Sequence, residues 1–164
     1  PRSKASEIEN AIKHHIKINV EEDPEYYKKL SERLEDIIRK HEEKWDELVQ
    51  LLLDLRDNIE TDHKKQADDL GLSPTELSFY NILIAELGGE ETVDESQARK
   101  VKTVVQSLVN MLDEATQIVD FFSKWDEQRR VKRGIKRIVI ANFDESLVKA
   151  VTERFMELAE VKFK

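Results

Sequence analysis

The 164-residue chain contains no cysteine. A disulfide framework and a thiolate metal site are therefore both excluded, and the composition suits a cytoplasmic protein. Glycine and proline are scarce, four and three residues respectively, whereas a β-sandwich or barrel needs turn residues every few positions. Long apolar runs are missing too. No window approaches the 18 or so residues that cross a bilayer, and Pro1-Arg2-Ser3-Lys4 is not the start of a signal sequence. The phosphate-binding pattern Gly-x-x-x-x-Gly-Lys-Ser/Thr is absent. The chain also opens on proline instead of methionine, which predicts a piece of a longer protein.

What is present is charge and periodicity. Charged residues make up 38% and apolar residues 39%, with a net charge of −8. That balance argues against a protein that coats DNA over its whole surface, while leaving any local patch open. The expected fold is all-α: residues 1–164 as a single helical domain, an elongated bundle containing a long antiparallel heptad-patterned helix pair and shorter helices.

Ser6 and Glu9 read as a capping box that opens a first helix ending near Ile18, with Ile8, Ile12, Ile16 and Ala11 on its apolar face. Asp23 caps a second helix with Pro24 at its first position. From there Leu34, Ile38, His41, Trp45, Leu48, Leu52, Leu55 and Ile59 alternate four and three apart, the spacing of a coiled-coil seam. An unbroken helix from Pro24 to Leu70, stopped by Gly71, would be roughly 70 Å long at 1.5 Å per residue. Ser73-Pro74-Thr75-Glu76 starts a short helix that ends at Gly88-Gly89. The next begins near Thr92 or Asp94 and carries Val101, Val104, Leu108, Met111, Ala115, Ile118 and Phe122 at the same alternation. The two heptad helices read as partners, within one chain or swapped between two. Ser123 to Ile140 favours helix over a short β-branched strand at 138–140, with Gly134 inside it. A last helix from about Asp144 carries Val148, Val151, Phe155 and Leu158.

Sites of chemistry are few. His41-Glu42-Glu43-Lys44-Trp45 begins like a zinc-protease helix, but Trp45 stands where the second histidine is required. Neither this segment nor His14-His15 makes a ligand set. The carboxylates lie on solvated faces, and no pocket separates one from another as acid–base catalysis requires. No catalytic, cofactor-binding or metal-binding residue is expected. Two local features remain. Arg129, Arg130, Lys132, Arg133, Lys136 and Arg137 fall within nine residues of an acidic chain. They are phosphate contacts, or a solvated helix face, or a face that pairs with the acidic long helix. Phe121, Phe122 and Trp125 form either a piece of core or an aromatic docking anchor.

Three stretches together resemble one family. Ser3-Lys-Ala-Ser-Glu-Ile-Glu-Asn-Ala-Ile-Lys-His-His-Ile, running to Ile18, and Glu22-Asp-Pro-Glu-Tyr-Tyr-Lys-Lys-Leu-Ser-Glu-Arg-Leu-Glu-Asp-Ile-Ile38 are similar to the C-terminal region of type I restriction enzyme R subunits. Val119-Asp-Phe-Phe-Ser-Lys-Trp-Asp-Glu-Gln-Arg-Arg-Val-Lys-Arg-Gly-Ile-Lys-Arg-Ile138 resembles the same family's terminal segment. The resemblance implies a parent that translocates DNA and cleaves it, using ATP and Mg, with nuclease and motor domains preceding this region. It implies that the helical C-terminal part attaches the subunit to the methyltransferase and specificity subunits. Neither the motor's phosphate loop nor the nuclease's carboxylate–lysine centre occurs here, so no catalytic residue carries over. The expected function is a non-catalytic docking module. The alternatives are non-specific duplex contact by residues 129–137 and a helical scaffold unrelated to restriction.

Overall fold

A computed structural model describes Pro1–Lys164, and its regular structure is entirely helical. Seven α-helices follow in order: α1 Arg2–Asn19, α2 Pro24–Lys40, α3 Trp45–Leu70, α4 Pro74–Glu86, α5 Glu95–Ala115, α6 Trp125–Asn142 and α7 Val148–Phe163. They divide between two compact units, Pro1–Pro74 and Thr75–Lys164.

The first unit is an up–down–up bundle of α1, α2 and α3. Helix α1 starts four residues before the expected Ser6 cap. Ala5 donates its N–H to the Pro1 carbonyl at 2.9 Å and is buried on the same face as Ile8 and Ile12. Glu9 does not reach back to a cap but pairs with Lys13 one turn on. Asp23 does cap α2, accepting from the Tyr26 N–H at 3.3 Å, with Pro24 in the first turn.

The expected rod from Pro24 to Leu70 is two helices. The chain turns back at His41–Lys44, where the His41 N–H bonds the Ile38 carbonyl and Glu43 adopts a left-handed φ of 64°. Such a conformation costs a non-glycine residue about 1–3 kcal/mol. Each fully buried Leu or Ile contributes about 1.5–3 kcal/mol in return, and Leu34, Leu48, Leu52, Leu55 and Ile59 are all buried in one cluster with Ala5, Ile8 and Ile12. Burial therefore decides for the turn. The heptad seam of α3 packs against α1 and α2 within its own unit.

At the far end of this hairpin lies a polar cluster. His63 Nε2 lies 2.8 Å from Asp23 Oδ2, the Tyr26 hydroxyl donates to the Ile59 carbonyl at 2.7 Å, and the Tyr26 ring stacks on His63 with centroids 3.9 Å apart. Burial, and secondarily the Asp62 carboxylate, pushes the Tyr26 phenol up to about 12. Gly71, in the left-handed conformation expected of it, ends α3.

In the second unit α4 is buried on every side from Leu77 to Ile84, the signature of a helix in a core's interior. Phe79 meets Phe155 of α7 edge-on at 5.0 Å. Gly88 and Gly89, both at positive φ, turn the chain toward α5, which Asp94 caps through the Gln97 N–H. Of the expected stripe, Val101, Val104 and Leu108 are buried and Met111 is half-buried, while Leu112, outside that stripe, is buried in its place. Helix α5 ends at Ala115, before Ile118 and Phe122, and the Thr116 hydroxyl bonds the Leu112 carbonyl there. Residues 125–142 are helix, including the β-branched Ile138–Ile140. Gly134 has a packing reason: a β-carbon there would sit 2.8 Å from Met111 Sδ of α5. A side chain at 134 would oblige the Met111 side chain to shift.

Candidate docking surface at the α5–α6 corner

The connection between α5 and α6 is made without glycine or proline. Asp120 takes a left-handed φ of 58°, and the Phe121 N–H bonds the Ile118 carbonyl at 3.1 Å. A single 3-10 turn, Phe121–Ser123, then leads into α6. This turn drives Phe121 into the core, where it is 2% exposed. Phe122 is half-buried against it, edge to face at 5.0 Å. Of the three aromatic side chains singled out in the sequence, Trp125 alone lies in the open.

Trp125 is 66% exposed at the start of α6, and the Arg129 guanidinium one turn later lies 4.6 Å from its ring centroid. Val119 and Ile118 on the same connection are 76% and 37% exposed. An exposed indole with a cation over its face, on a connection that also exposes two β-branched side chains, has the composition of an interface centre. Sequence reasoning placed Ile118 on a buried seam and passed over Val119. Their exposure follows from α5 stopping at Ala115, which no residue type announces.

The six basic residues lie on the solvent side of α6, opposite its buried stripe Val131, Ile135 and Val139. At about 100° per residue they cover roughly 160° of the helix. The cluster is thus a ridge with two flanks. Arg130 and Arg137 line a recess on the α5 side with Met111 and Ile118; Arg129, Lys132 and Lys136 line another on the α7 side. Arg133 borders both. Arg130 sits 3.8 Å from Glu127, whereas Lys132, Arg133, Lys136 and Arg137 have no carboxylate partner.

No group of three or more His, Asp or Glu side chains is arranged to hold a metal ion. His63 is engaged with Asp23, His41 Nδ1 lies 2.9 Å from the Ile37 carbonyl, and His15 packs against Tyr27. No helix is long and apolar enough to cross a membrane.

Residues 1–164 match the family model of the C-terminal region of HindI-like type I restriction endonuclease subunits. The chain belongs to that family. A Methanocaldococcus jannaschii protein bearing the provisional name type I restriction enzyme MjaIXP endonuclease subunit is 24% identical over 154 residues. The match covers 88% of this chain and 14% of that protein. This R-subunit domain thus corresponds to a small part of its relative's length. No solved structure matches it.

Proposed function

We propose that this domain is a non-catalytic helical docking element, attaching a type I restriction R subunit to its methyltransferase–specificity core through the corner formed by Ile118, Val119, Trp125 and Arg129. The observation that carries this reading is the exposed Trp125 ring under Arg129. Buried aromatic and arginine anchors account for most of the binding energy in protein interfaces. The family model spans both units, which supports treating residues 1–164 as one functional domain. Family membership also supports a parent subunit that is an ATP- and Mg-dependent DNA translocase and nuclease, working in the cytoplasm. The test is competition: excess 1–164 chain should displace the full R subunit from the methyltransferase–specificity complex. Undiminished assembly at saturating competitor contradicts the proposal.

A second reading is duplex contact by Arg129, Arg130, Lys132, Arg133, Lys136 and Arg137. The four cations without a carboxylate partner favour it. It predicts non-specific binding whose logarithm falls with log salt by about 0.9 per phosphate neutralised. Replacing Arg133 and Arg137 by Ala should then lower the slope by about 2. Absence of binding in low salt sinks it.

A further inference from the structure

The recess between α6 and α7, about 560 Å³, combines features that a phosphate-binding face does not need. Its α6 wall is Arg129, Lys132, Arg133 and Lys136. Its α7 floor is Val148, Thr152 and Met156, each four residues apart. The floor is thus one i±4 ridge of α7, the kind of row against which another helix packs. The Thr152 hydroxyl is buried there without a hydrogen-bond partner. Lys149, Glu153 and Glu157, four residues apart, edge the far side.

We propose that this groove binds an acidic amphipathic helix of a partner protein. The helix lays its apolar ridge on Val148 and Met156 and its carboxylates against the α6 wall. Charge complementarity argues for that occupant. The wall's two lysines have no internal ion pair, on a chain whose net charge is −8. The cations at 129, 132 and 136 span about 10 Å along α6, two helical turns. Carboxylates three or four residues apart on a facing helix match that spacing. Duplex DNA fits the recess poorly. Its backbone offers nothing apolar to cover the Val148–Met156 floor.

This groove borders the Trp125 corner at Arg129, and its test changes Lys132, Lys136, Thr152 and Glu153 while leaving the corner's residues untouched. A fluorescent peptide of about 18 residues, five helical turns, with Leu on one face and Glu on the adjoining one, is titrated with the full R subunit and followed by anisotropy. Binding is expected, with affinity falling about tenfold in a Lys132→Glu, Lys136→Glu variant. Glu153→Lys, an exposed change, should tighten binding severalfold. A photo-crosslinker in place of Thr152 should capture the peptide. Binding that survives replacement of every peptide Leu by Ser overturns the proposal, because the groove's floor would then be unused. So does no binding in low salt, or displacement of the peptide by a 20-base-pair duplex at lower concentration than by unlabelled peptide.

Discussion

Asp23 is 1% exposed, and its carboxylate both accepts the Tyr26 N–H at the start of α2 and meets His63 from α3. Loss of an N-cap costs about 1 kcal/mol, and an unmatched buried polar group about 1–3 kcal/mol. Asp23→Ala should therefore lower unfolding free energy by about 2–4 kcal/mol in urea, the sum of those two effects. Asp23→Asn, which keeps the cap acceptor, should cost less. Equal losses would mean that the cap contributes nothing. The tyrosines give a second residue-scale prediction. Burial raises Tyr26 to about 12 and also raises Tyr27 and Tyr80 above the ordinary 10.0. A phenol raised on folding contributes stability that is fully present below its unfolded pKa near 10, and loses it as pH climbs through the folded value. Phenolate absorbance of the native chain should thus rise at higher pH than in urea, with stability falling between about pH 10 and 12. Coincident titrations would contradict the burial of these rings.

Among the elements, α6 offers the sharpest test, because Gly134 opposes helix propensity in favour of packing. Glycine costs about 1 kcal/mol relative to alanine in a helix interior, and a β-carbon there would meet Met111 Sδ. Gly134→Ala should gain about 1 kcal/mol in a Met111→Ala background and less in the natural chain. A double-mutant cycle with no coupling would contradict the close contact of α5 and α6. How legible each element was depended on what marks its ends. Asp23-Pro24, Gly71, Pro74, Gly88-Gly89 and Asp94 were readable because capping chemistry and glycine's access to positive φ are properties of single residues. The turn at His41–Lys44 contains neither Gly nor Pro, and the seam spacing runs through it undisturbed. Leu34 and Leu48 enter the same core from two antiparallel helices, so periodicity could not separate a hairpin from a rod. The same reason hid the end of α5. The basic cluster was visible as composition, but its division into two flanks required α5 and α7 to be in place, and the groove floor on α7 carried no signal of its own.

For the whole molecule, the division at Pro74 has a direct consequence. The first unit owns a core of ten buried residues from α1, α2 and α3, enough for a small three-helix bundle to fold. A chain of residues 1–74 should keep its helical circular dichroism and unfold cooperatively; a featureless, non-cooperative melt would contradict the independence of that core. Docking by the second unit is the central claim, and its corner contains a side chain that can be removed without opening the core. Trp125 is largely exposed, so Trp125→Ala should leave folding intact. The deciding measurement is the dissociation constant of the full R subunit for its methyltransferase–specificity complex, compared between the natural chain and Trp125→Ala. An interface centre predicts weakening of about thirtyfold, equivalent to about 2 kcal/mol, with unchanged circular dichroism. An unchanged dissociation constant would contradict the account.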